Sequence, residues 1–269
     1  MSAQFPQYDA FQGYIETILN QPMTDVQFKQ HPEYTFVLEN ASKEIGAECL
    51  KCIEAQFPQV TFEDIRAFMN VNDKYGGAAK TIFTTKNMKL LYCSPTTMRY
   101  ILHALLVLDH YQSHGCKQIV EVGAGYGGLF LAINHFAKYF PGAAIQHYIL
   151  VDLPHSCRLI QSYLDAHAAF ISVPYEVVDS NAVHDRSWDN TGDRFFVSNY
   201  AFTAFPYTLR NQYVQSVIHA CEHGFLVWQT CFGATISAVG GILNKMVENV
   251  VEEVPQTASP EFKNYYVYF

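Results

Sequence analysis

The segment Ile119 to Gly128, I-V-E-V-G-A-G-Y-G-G, constrains this chain more than any other. It continues an apolar stretch with strand character, 118–122, and opens a helical stretch that begins L-F-L-A-I-N-H-F. Glycines at a strand-to-helix turn let the chain reverse sharply and bring backbone N–H groups close to a ligand. Further strand-like stretches fall at 145–151, 174–178, 194–199, 225–230, 250–254 and 264–269, with helical stretches between most of them. Strands spaced by helices imply a parallel sheet with crossover connections. The last two strands are joined by only nine residues, including Pro255 and Pro260, too few for a crossover helix. The final strand is therefore expected to run antiparallel. The reading is an α/β, Rossmann-like sheet of five parallel strands plus a closing antiparallel hairpin.

Residues 1–92 read as a helical cap without strands, repeats or low complexity, and 93–269 as the ligand-binding domain. Phe11, Tyr14, Ile15, Ile18 and Leu19 form a helical stripe. Pro32 can open a long helix toward Phe57, with Pro58 stopping it. Thr61 with Asp64 three residues on resembles a capping arrangement. Asn72 to Gly77, N-D-K-Y-G-G, is a turn cluster, and Ser94-Pro95 is a strong helix start. Cys49 and Cys52 lie in a helical pattern and read as core cysteines rather than metal or redox groups.

Composition narrows the partners. Of 269 residues, 49% are hydrophobic and 16% charged, which excludes a disordered chain. The net charge is −8 with no basic run, so nucleic acid is not an expected partner. The start, M-S-A-Q-F-P-Q-Y-D-A-F, lacks a secretory pattern, and no apolar stretch is long enough to span a bilayer. Seven cysteines without a framework spacing suggest a reducing, cytoplasmic compartment. With 18 Tyr and 20 Phe, aromatic residues are in surplus for core or pocket.

The glycine segment reads as G-x-G-x-x-G, which suggests a dinucleotide, or as E-x-G-x-G-x-G. Two residues favour the second version. Glu121, at the strand end, would repel a pyrophosphate but suits a ligand with an ammonium group. S-adenosylmethionine carries an ammonium and a sulfonium and no phosphate. Asp152, closing H-Y-I-L-V-D, can accept both hydroxyls of a ribose. Asp179, closing Y-E-V-V-D, stands where a polar side chain can reach the adenine. All three are expected at strand carboxyl ends, the rim where open α/β sheets bind ligands.

At these residues the chain resembles class I S-adenosylmethionine-dependent methyltransferases, and more narrowly the sugar O-methyltransferase family. The matching pieces are N-D-K-Y-G (72–76), S-P-T-T-M-R-Y (94–100), V-E-V-G-A-G-Y-G-G (120–128), I-L-V-D-L-P (149–154) and V-S-N-Y-A-F (197–202). The resemblance implies methyl transfer to a hydroxyl of a sugar, glycan or sugar nucleotide. It implies a cofactor site of Glu121, Gly123, Ala124, Gly125, Tyr126, Gly127, Asp152, Leu153, Asp179, Ser180 and Asn199, with Arg99 on the methionine carboxylate. The N-D-K-Y-G turn would act as a lid with Tyr75 near the methyl donor. Other hydroxyl acceptors, a nicotinamide-dependent oxidoreductase and an inactive cofactor-fold protein remain alternatives.

A weakly acidic hydroxyl calls for a general base. Where the family pattern has an acid after S-N-Y-A-F, this chain has Thr203 and Ala204. The candidates are His155, His184, His103, Asp73 and Tyr200. Tyr75, Tyr200 and Phe202 are candidates for stacking on the acceptor, whereas Trp228 reads as core. The fourth and fifth strands end V-S-N-Y and V-W-Q-T, without carboxylates, so no catalytic metal is expected.

Overall fold

The computed structural model describes residues 6–188 and 192–269, so part of the N-terminal stretch carrying the leader reading lies outside the described residues. The chain forms two compact units. The first comprises residues 1–105, 125–135 and 155–171; the second comprises 106–124, 136–154 and 172–269.

In the first unit, helices α1 (Pro6–Ile18), α2 (Pro32–Val37), α3 (Lys43–Gln56) and α4 (Phe62–Asn72) precede a hairpin of β1 (Thr81–Thr84) and β2 (Leu90–Cys93). Phe11, Ile15 and Ile18 of the expected α1 stripe are buried. The helix expected from Pro32 to Phe57 is two helices. It breaks at 38–42, because Ser42 caps α3 by accepting the Ile45 N–H at 3.2 Å. The hairpin was not expected either. Phe83, Leu91 and Cys93 face inward, while Ile82, Leu90 and Tyr92 are 54%, 62% and 61% exposed. Apolar residues on both faces erase the alternation by which a strand is recognised.

Thr61 does cap α4, its hydroxyl accepting the Asp64 N–H at 3.1 Å. Thr61→Ala is expected to lower stability by about 1 kcal/mol, read from the urea midpoint at unchanged slope. Cys49 is buried and Cys52 half-buried; all seven cysteines are free thiols. Ser94 precedes α5 (Pro95–Tyr111) as expected. Among the described residues no helix is long and apolar enough to cross a membrane.

The second unit is built on a sheet of β3 (Gln118–Val122), β4 (His147–Asp152), β5 (Tyr175–Asp179), β6 (Arg194–Asn199), β7 (His223–Gln229), β8 (Asn249–Glu252) and β9 (Asn264–Tyr268), ordered β5-β4-β3-β6-β7-β9-β8. The first five are parallel, and β9 runs antiparallel between β7 and β8. The α/β class and the closing hairpin are as the sequence implies. In the chain, α6 (Gly128–Phe136) follows β3, α7 (Pro154–Asp165) follows β4, and α8 (Tyr207–Ser216) and α9 (Val239–Leu243) flank β7. Val120 and Val122, two apart on β3, join Ile149, Phe196, Leu226 and Trp228 in one core cluster. Trp228 is fully buried, its indole N–H donating to the Ala234 carbonyl at 2.9 Å.

The sheet order makes one place special. The chain steps outward from β3 to β4 and β5, then returns to lay β6 on the other side of β3. Such a switch point leaves a crevice at the carboxyl ends of the two strands.

Candidate active site

Of the expected rim residues, Glu121, Gly123, Asp152, Asp179, Asn199 and Tyr200 all belong to the second unit. Glu121 is 2% exposed, and its carboxylate accepts the Tyr148 hydroxyl at 2.8 Å. Burial pushes its carboxyl up to about 8; the Tyr148 hydrogen bond opposes the shift and the charge of Asp152 adds to it. No ion pair among the described residues gives Glu121 a cation. An acid in this setting favours a cationic ligand.

Gly123 leaves β3 with φ +82°, its N–H donating to the Val151 carbonyl at 2.9 Å. A β-carbon there would come within 2.2 Å of the Ala201 side chain, so the exits of β3 and β6 meet only because residue 123 is glycine. Asp152 and Asp179 are register partners at the ends of β4 and β5. The Leu153 N–H donates to the Asp152 carboxylate at 2.7 Å, and the Ser180 N–H to the Asp152 carbonyl at 2.8 Å. The Asn181 N–H donates to the Asp179 carboxylate at 2.8 Å. Both acids are half-buried.

Tyr200 leaves β6 with φ +61°, a left-handed conformation that a tyrosine holds only at some cost. Its hydroxyl donates to the Glu253 carboxylate. Glu253 is 1% exposed, and its other oxygen accepts Thr257 N–H at 2.9 Å, Thr257 O–H at 2.7 Å and the Asn264 side-chain amide at 3.1 Å. Sequence reasoning missed Glu253. The one available signal was the adjacent pair Glu252-Glu253 beside a strand, where successive side chains take opposite faces. Glu252 indeed pairs outward with Lys263, and Glu253 turns in.

In the first unit, Gly125 and Gly127 continue the glycine turn at φ +65° and +87°. Tyr126 is fully buried, donating to Glu39 at 3.2 Å and accepting from the Asn72 amide at 3.2 Å. The Lys29 ammonium lies 4.2 Å from the centre of its ring and donates to the Asn72 carbonyl at 2.5 Å. Burial lowers Lys29 to about 8, with Glu39 and Asp73 opposing the shift, and burial raises the Glu39 carboxyl. Asn72 also donates to Thr97 at 2.8 Å. Three sequence pieces, N-D-K-Y-G, S-P-T-T-M-R-Y and the tyrosine of the glycine turn, thus share one buried hydrogen-bond network.

Several expected roles are revised. Asp73 is not presented as a free base: its two oxygens accept Ser94 N–H at 2.7 Å and Thr97 O–H at 2.6 Å. Phe202 is 1% exposed against Phe196 and Trp228, so it is core rather than an acceptor platform. His103 is buried, and that burial with the Arg99 charge lowers it to about 3, a poor base. The Arg99 guanidinium donates to Asn40 at 3.0 Å and the Leu38 carbonyl at 2.9 Å, holding the break between α2 and α3. His155 faces Glu16 at 3.7 Å, His184 meets Ser216 of α8 at 3.0 Å, and Tyr75 packs edge-on against His167. Ala124 is buried.

No protein-family model matches the chain, and no curated protein matches its sequence. Solved structures are similar to it. An S-adenosylmethionine-dependent methyltransferase from Clostridium acetobutylicum is 6% identical over 63% of this chain and 88% of that one, with a TM-score of 0.43. The mitomycin 7-O-methyltransferase MmcR is 12% identical over 98% of this chain and 68% of that one, also at 0.43. EvdMO1 is 13% identical over 64% of this chain at 0.41, and the present chain spans only 40% of its length. At these identities the similarity concerns the fold and assigns no acceptor.

Proposed function

We propose that this chain is an S-adenosylmethionine-dependent O-methyltransferase acting on a hydroxyl of a sugar or glycan, with residues 1–92 as its cap. The observation that carries the cofactor reading is the trio Glu121, Asp152 and Asp179 at the carboxyl ends of three adjacent parallel strands, beside a glycine turn. A buried acid without a cation among the described residues suits an ammonium, and two half-buried acids suit a diol and an adenine edge. Glu121 would face the ammonium, Asp152 the ribose hydroxyls and Asp179 the adenine edge, with Asn199 beside them.

S-adenosylmethionine, when bound, supplies a methyl group on a positively charged sulfur. The chain's part is to hold the acceptor oxygen in line and take up its proton. Tyr200 and Glu253 can do the second. As the Tyr200 oxygen receives the acceptor's proton, its own passes along the existing hydrogen bond to the Glu253 carboxylate. That pair supplies the acid absent from positions 203 and 204. The sugar class rests on the five ordered sequence pieces; the same pair would also serve a phenolic hydroxyl.

Asp152→Ala is expected to weaken S-adenosylmethionine binding at least tenfold by calorimetry. Unchanged affinity would remove the ribose assignment, and tight NAD binding without S-adenosylmethionine binding would sink the whole reading. Mass spectrometry of cellular glycans with and without the protein reads the acceptor: one added methyl per modified sugar supports it. Methylation confined to small molecules would move the acceptor class.

A further inference from the structure

A second cluster of chemistry-bearing side chains lies at the other end of the sheet, and the proposed methyl transfer does not use it. His110 and His114, four apart, share one face of the last turns of α5 and the turn after it. His223 is the first residue of β7, and Glu248 directly precedes β8, its N–H donating to the Tyr268 carbonyl at 2.8 Å. These residues are brought together from three distant stretches of one compact unit. The rim acids sit at strand carboxyl ends, whereas His223 stands at the amino end of its strand.

The nitrogens are arranged as ligands. His114 Nδ1 lies 2.9 Å from the His110 carbonyl, which fixes the proton there and turns the Nε2 lone pair inward. That Nε2 stands 3.3 Å from Glu248 Oε1, and His223 Nδ1 stands 3.2 Å from the same oxygen. His110 repeats the pattern: its ring meets the Phe269 backbone, while its buried Nε2 has no hydrogen-bond partner among the described residues. A carbonyl on one ring nitrogen is the usual support of a metal-bound histidine, since it sets the tautomer and orients the ring. Ligand atoms of His110, His114 and Glu248 all lie within 4.8 Å of one another.

A lone pair facing a carboxylate at hydrogen-bond distance is repulsive unless a positive charge lies between them. His223 Nδ1 can meet the Glu248 oxygen with its own N–H, whereas His114 turns a lone pair to it and the His110 Nε2 stands unpartnered nearby. One divalent ion between the ligand atoms of His110, His114 and Glu248 removes that repulsion. With metal–ligand bonds of about 2.0–2.1 Å, the edge of a tetrahedron is about 3.3 Å, the separation found between Glu248 and His114. Two imidazoles and one carboxylate suit a borderline first-row ion, zinc above all, rather than calcium or magnesium.

We propose that His110, His114 and Glu248 form a binding site for one divalent zinc-type ion, with His223 beside it on the same Glu248 oxygen. It ties the end of α5 to the closing hairpin.

The test uses the full chain without any polyhistidine tag, stripped with chelator and titrated with zinc chloride by calorimetry. Metal content is read by mass spectrometry and geometry by the visible spectrum of the cobalt form. The expected result is one ion per chain, a tetrahedral cobalt spectrum and a melting temperature that rises until one equivalent is added. His114→Asn should bind at least a hundredfold more weakly and Glu248→Gln at least tenfold. His219→Asn, an exposed histidine outside the cluster, should bind as the wild type does. Glu248 is itself exposed, so its variant keeps the test valid if a histidine variant fails to fold, as judged by circular dichroism. Binding that is equally strong in the folded Glu248→Gln variant, or an octahedral cobalt spectrum, would overturn the site. So would the absence of binding by the wild type.

Discussion

Glu121→Gln is expected to make the cofactor-free protein more stable than the wild type, by an amount that grows with pH. The folded-state value of Glu121 is about 8 against an ordinary 4.5. Between those values the folded chain keeps a proton that the unfolded chain has released, so wild-type stability falls as pH rises. The linkage is about 1.4 kcal/mol per pH unit, or about 3 kcal/mol between pH 4.5 and 7. Below the unfolded value both states hold the proton and the contribution is fully present; above the folded value it is fully lost. Glutamine lacks this dependence and still accepts the Tyr148 hydroxyl. Urea unfolding at pH 5 and pH 7.5 reads the gap, and a gap that does not widen with pH would show that Glu121 is not held neutral. The same substitution should harm binding. An ammonium pairs only with the charged form, so wild-type affinity for S-adenosylmethionine should rise with pH toward about 8 and release a proton. The variant should bind weakly at every pH. A residue that costs stability while empty and strengthens binding when occupied is a familiar exchange at ligand sites.

Tyr200→Phe is expected to lower kcat at least a hundredfold, with S-adenosylmethionine affinity held within about twofold. Phenylalanine keeps the ring and removes the oxygen that hydrogen-bonds Glu253 and would relay the proton to it. Glu253→Gln should give a loss of the same order, because an amide cannot take the proton. Making both changes should cost little more than either alone, since the two act as one unit. If Tyr200→Phe raises KM and leaves kcat intact, Tyr200 orients the acceptor and the proton leaves by another route.

How much of this was legible in the sequence depended on how local its cause is. The seven sheet strands lie within about two residues of their expected positions, because apolar stretches bounded by turn residues are a local signal. The antiparallel final strand followed from a count of linker residues. Thr61 and Ser94 declared their helix starts, while Ser42 was overlooked inside a stretch that also looked helical. The β1–β2 hairpin was hidden by apolar side chains on its exposed face. The site divides in the same way. Glu121 and Asp152 stand at strand ends, which sequence can locate. Glu253 reaches Tyr200 from 53 residues away, and the Lys29–Asn72–Tyr126–Glu39 network joins four separate stretches. Only the folded chain brings such residues together. Asp73 and Phe202 failed for the converse reason: their residue types fitted the chemistry, but burial assigned them to the frame.

The two compact units are each assembled from three separated stretches, and the chain passes between them at 105/106, 124/125, 135/136, 154/155 and 171/172. This has a bearing on how such a protein can be inherited. An exchange of one uninterrupted piece of gene can deliver neither unit without part of the other, and one of the passages lies inside the glycine turn itself. Replacing the N-terminal 92 residues would leave 93–105, 125–135 and 155–171 without the chain they fold with.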